Sequence, residues 1–148
     1  MTEQILICYD GSEDAERAVD TAAALLGPRD AVVLTVAPAM TFAESMAATS
    51  SMVPGGAFDD LNKADALRRA EAGAAHARRA GLNAEARATI ASTTWQGIVD
   101  VADELDAAAI VIGSRGLGGF REFARGSASH DVATHAGRPV LIVPPVTT

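Results

Sequence analysis

The feature that most constrains this chain is a rhythm of short apolar runs, each closed by turn formers and separated by stretches with helical spacing. Gln4 to Asp10 (QILICYD), Ala31 to Pro38 (AVVLTVAP), the run AAAIVI ending at Ile112, and Val140 to Pro145 (VLIVPP) are apolar at successive positions rather than alternate ones. A strand of that kind needs cover on both faces, which a parallel sheet receives from its crossover helices. A further segment, Leu82 to Ile90 (LNAEARATI), alternates weakly, as an edge strand does.

The intervening stretches read as helices. Ser12 stands as an N-cap before Glu13 and Asp14, acids that suit the positive end of a helix dipole; Ala15, Ala18, Val19, Ala22, Leu25 and Leu26 then follow at helical spacing up to Gly27-Pro28. Ala39 to Asp59 mixes Met, Ser, Thr, Pro and Gly without a period and reads as a long surface loop, with one helical turn expected near Phe42 to Met46. Asp59 to Ala80 reads as a helix with Leu61, Ala64, Leu67 and Ala74 on its inner side, ended by Gly81. Trp95 to Leu105 is amphipathic, with Trp95, Ile98, Val99, Ala102 and Leu105 inward, and Ser127 to Ala136 supplies the last helix. The order implies an α/β protein: one open five-stranded parallel sheet with helices on both faces and right-handed crossovers, in a single domain over residues 1–148. Ligands of such sheets bind beyond the carboxyl ends of the strands where the winding reverses, so the places to look follow Asp10, Val36 and Ile112.

Several function classes are excluded or disfavoured. The formal charge of −7 opposes nonspecific attachment to nucleic acid or anionic lipid. No apolar run approaches the ~18 residues that cross a bilayer, and the first residues lack a secretory pattern, so a soluble, cytoplasmic protein is expected. The lone cysteine, Cys8, forms no intramolecular disulfide, and Lys63, the only lysine, is not in a Walker phosphate loop. His130 and His135 have no cysteine or paired acid to complete a metal set, and no G-x-S-x-G elbow surrounds Ser12, Ser127 or Ser129.

The stretch Gly113 to His130 (GSRGLGGFREFARGSASH) carries most of the chemical information. Gly113 and Gly116 allow close approach of backbone N–H groups, and Gly126-Ser127 opens a helix whose free amides favour an anion. Ser127 and Ser129 add hydroxyl donors. Arg115, Arg121 and Arg125 either screen phosphate charge or stand as solvated surface arginines. Asp10, before Gly11, is by itself an ordinary turn acid, and Cys8 a small apolar core residue.

The spacing Gly113-x-x-Gly116, nine residues, Gly126-Ser127, together with the first strand and turn, ILICYDGSEDAERAV, resembles the two signatures of the universal stress protein family. The resemblance covers essentially the whole chain and implies strand order 3-2-1-4-5, with ATP bound in those members that keep this glycine pattern. It implies that Asp10 serves the ribose or adenine side, with Cys8 lining the same end of strand one, and that Val36 lies against the adenine. Ile112 and Gly113 would flank the nucleotide, Gly116 would admit the phosphates, and Gly126, Ser127, Ala128 and Ser129 would bind them, with Mg held through the phosphates. It also implies a homodimer through the terminal strand Pro139 to Pro145, an apolar edge that needs covering. The expected function is a sensor or regulator in the stress response that binds an adenine nucleotide and turns it over very slowly or not at all. A slow ATP hydrolase and a nucleotide-free interaction protein are the alternatives, and no catalytic base or metal set is expected.

Overall fold

The computed structural model describes residues 3–39, 46, 55–114 and 128–145, the side chains of 55–58 excepted. Its elements are β1 (Ile5–Cys8), α1 (Glu13–Leu26), β2 (Asp30–Pro38), α2 (Gly55–Arg79), β3 (Asn83–Ala91), α3 (Thr94–Leu105), β4 (Ala109–Gly113), α4 (Ala128–His135) and β5 (Val140–Val143). The five strands form one sheet in the order β3-β2-β1-β4-β5, with every neighbouring pair parallel. The strand alternation splits the core in two. Ile5, Ile7, Tyr9, Val33 and Val111 meet α1 and α2, while Leu6, Cys8, Leu34, Ile110 and Ile112 meet α3 and α4. The unbroken apolar runs of the sequence are the two faces of this covered sheet.

Helix α1 begins as its sequence dictates: Ser12 Oγ accepts the Ala15 N–H at 3.1 Å, and three acids occupy the first turn. Its buried stripe, Ala15, Ala18, Val19 and Ala22, continues at Leu26, four residues on, so Leu25 turns outward and is 66% exposed. The expected inward position of Leu25 is thereby corrected.

Helix α2 differs more. It starts at Gly55 rather than Asp59, inside the stretch expected to be loop; of the turn expected near Phe42 to Met46, residues 42–45 lie outside the described residues and Met46 is helical. Its buried positions are Ala66, Ala70, Gly73, Ala74 and Ala77, whereas Leu61 and Leu67 are 68% and 41% exposed and Ala64 is exposed as well. Only Ala74 of the expected inner set is buried. The cause is the closeness of helix and sheet: a Cβ on Gly73 would lie 2.7 Å from the Tyr9 ring and 2.9 Å from Val33 Cγ1. At that separation glycine and alanine fill the seam, and leucine is displaced to the outside.

Helix α3 buries Gly97, Ile98, Val101 and Ala102. Trp95, Val99 and Leu105 are partly buried against the same cluster, and the Trp95 ring stacks on His135 with centroids 4.4 Å apart. Asp106 closes the helix in the left-handed conformation at φ 49°.

Candidate functional site

Because every strand is parallel, their carboxyl ends share one edge of the sheet, and the strands do not end level. Pairing of β1 with β2 stops at Cys8 opposite Leu34, while β2 runs on beside β3 as far as Pro38 opposite Ala91. Residues Thr35 to Pro38 therefore overhang the tip of β1. The tip is tied to this wall by the Tyr9 N–H donating to Leu34 O at 2.8 Å and by Thr35 Oγ1 donating to Tyr9 O at 2.7 Å. In a parallel ladder alternate residues point their main-chain groups to the same side, so Val36 N–H and C=O face over β1 as those of Leu34 do. Such a wall offers a planar heterocycle both a donor and an acceptor.

Beyond Tyr9 the chain turns sharply. Asp10 Oδ1 accepts the Ser12 N–H at 2.9 Å, and Gly11 takes φ 86°, the left-handed region that favours glycine. This turn presents Asp10, half-buried, at the point where β1 separates β2 from β4. Across it, β4 ends at Ile112 and Gly113, both buried, and the Ser114 N–H bonds Val143 O at 2.9 Å. A Cβ at Gly113 would stand 3.3 Å from the Asp14 carbonyl oxygen. Gly113 thus also lets the first turn of α1 pack close to β4, a structural reason for glycine independent of any ligand. Ala128 and Ser129 open α4 on the same side, 5% and 4% exposed.

The structure therefore brings Asp10, Val36, Ile112, Gly113, Ala128 and Ser129 to the carboxyl side of the sheet. Gly116, Gly126 and Ser127, with Arg115, Arg121 and Arg125, lie outside the described residues. The Cys8 side chain is 2% exposed in the apolar cluster with Leu34, Ile98 and Ile112. Burial, reinforced by the Asp10 carboxylate, pushes its thiol far above the usual range, which keeps it protonated and unreactive. Tyr9 is likewise raised, by burial first and then by Glu16 and Asp10, against a lowering by Arg79, so its phenol stays neutral.

One part of this edge was not singled out from the sequence. Asn62, Asp65, Ala66 and Arg69 of α2 face the overhanging Thr35 to Pro38 across a cleft of ≈ 80 Å³. Asp65 binds both Arg68 and Arg69, at 3.1 and 3.3 Å, and the Arg69 stem lies against Gly11, 3.5 Å from where a Cβ would be. The spacing i, i+3, i+4, i+7 marks these residues as one helix face. That the face borders the carboxyl edge follows from α2 entering the fold there.

A family model described as the universal stress protein family matches residues 1–144 of the chain. The chain belongs to the universal stress protein family. This universal stress protein is 30% identical over 151 residues to the universal stress protein YxiE of Bacillus subtilis, covering 97% of this chain and 99% of that one. Among solved structures it resembles the hypothetical protein MJ0577 with a TM-score of 0.77, at 21% identity over 100% of this chain and 99% of the other, a likeness of fold. It also resembles a universal stress protein solved in complex with cAMP, with a TM-score of 0.63 and 26% identity, covering 97% of each chain. The five-stranded order and the helical layers are those of these relatives. Among the described residues, no helix of this universal stress protein is long and apolar enough to cross a membrane.

Proposed function

We propose that the chain binds an adenine nucleotide, ATP or a close relative of it, at the carboxyl edge of its sheet, and acts through occupancy as a cytoplasmic sensor or regulator in the stress response. The observation that carries this reading is the likeness, across 97% of both chains, to a universal stress protein in complex with cAMP. The crevice supports it. Val36 offers main-chain groups above the tip of β1, Asp10 is held beside it by the turn, and β4 ends opposite at Ile112-Gly113. By the family resemblance the adenine lies against Val36, Asp10 serves the ribose or adenine side, and the phosphates lie on Gly116, Gly126, Ser127, Ala128 and Ser129. Mg enters with the phosphates and is held through them.

Asp10→Ala is expected to weaken ATP about tenfold, the loss of a hydrogen bond to a charged group. Calorimetric titration of both proteins measures it, and equal affinity in a folded variant removes Asp10 from the site. ATP turnover on the order of 1 per second or faster contradicts a role by occupancy. The single domain is proposed to pair as a homodimer through Pro139 to Pro145: β5 is a sheet edge, and Ile142 on it is 40% exposed. Sedimentation showing only monomer at micromolar concentration would refute the pairing.

A further inference from the structure

The cleft between α2 and the overhanging end of β2 shares Val36 with the wall assigned to the base, so its polar lining borders the same ligand. Of that lining, Thr35 is engaged with Tyr9 O, and Asp65 and Arg69 are engaged with each other. Asn62, exposed and one turn nearer the start of α2, is different: among the described residues no hydrogen bond to its side chain is found. An amide carries a donor and an acceptor side by side, the complement of the amino group and adjacent ring nitrogen on an edge of adenine. Guanine's pairing edge instead sets a ring N–H beside the 2-amino group, two adjacent donors that a carboxylate accepts together and an amide can meet only with its oxygen.

We propose that Asn62 is a base-reading residue, whose amide selects adenine over guanine from the α2 side of the cleft. The inference rests on the adenine-nucleotide reading above and adds to it the residue that sets base choice. Nothing in the family signatures includes this position, because it lies on α2 rather than on the strand ends or the glycine stretch.

The test is calorimetric titration of the wild-type chain, Asn62→Ala and Asn62→Asp with ATP and with GTP, with thermal melts as the folding control. Asn62 is exposed on a helix, so all three are expected to melt together. The wild type is expected to prefer ATP. Asn62→Ala is expected to lose about tenfold in ATP affinity, and Asn62→Asp to shift the ATP-to-GTP ratio toward GTP by about tenfold or more. Variants that bind ATP and GTP in the wild-type ratio overturn the assignment of Asn62 and leave the nucleotide reading standing. A wild-type chain that binds neither nucleotide overturns both.

Discussion

Replacing Gly73 by leucine is expected to lower the free energy of unfolding by about 3 kcal/mol, the upper part of the range for overpacking a core. The position is buried in the last third of α2, where even a Cβ would stand 2.7 Å from the Tyr9 ring and 2.9 Å from Val33 Cγ1. Both neighbours are fixed: Tyr9 is tied through its main chain to β2, and Val33 belongs to a strand paired on both sides. The helix must therefore move away from the sheet, separating Ala70, Ala74 and Ala77 from the strands. Gly73→Ala sharpens the test. In an exposed helix that change gains about 1 kcal/mol of propensity, so a net loss here isolates the clash. Urea unfolding of the two variants measures both effects, and an alanine variant more stable than the wild type would show that the seam has room.

Arg138→Met is the second large effect, expected to cost about 2 to 3 kcal/mol. Arg138 Nη1 donates to Ala102 O at 2.9 Å and to Ala107 O at 2.8 Å, Nε donates to Ala136 O at 3.2 Å, and Nη2 meets Asp103 Oδ1 at 2.5 Å. One guanidinium, 16% exposed, thus joins the end of α3, the entry to β4 and the end of α4 just before β5 begins. Its charge also complements the negative end of the α3 dipole. Methionine keeps the length and removes the donors, so carbonyls lose their partners without an empty space being made. Lysine restores only part of the stability, since an ammonium cannot reproduce the planar fork. Equal urea midpoints for Arg138→Met and the wild type would show that water replaces the guanidinium at no cost.

How far the fold could be read from the residues depended on the kind of packing. The strands were legible because two-sided burial leaves unbroken apolar runs, and the start of α1 because Ser12 and the acids after it obey capping rules. The inner face of α2 was not. Leu61 and Leu67 suggest an apolar stripe by hydropathy alone, but the helix lies too close to Tyr9 and Val33 for leucine, a distance set by the sheet and absent from local sequence. Leu25 failed for a smaller reason, the drift of the α1 stripe onto Leu26. In the candidate site, the ends of β1, β2 and β4 were predictable from where the winding reverses, which places Asp10, Val36, Ile112 and Gly113 together. The overhang of β2 and the Asn62-Asp65-Arg69 face were not, because both come from register and tertiary approach. Gly113 shows the limit from the other side: glycine there suits a ligand loop, and the Asp14 carbonyl beside it is sufficient reason for it.

Calorimetric titration of the purified wild-type chain with ATP, AMP and cyclic AMP, after extraction of any retained nucleotide, tests the proposed adenine-nucleotide site most directly. Saturable binding at one site per chain is predicted, weakened in Asp10→Ala. No retained nucleotide and no heat with any of the three would contradict it.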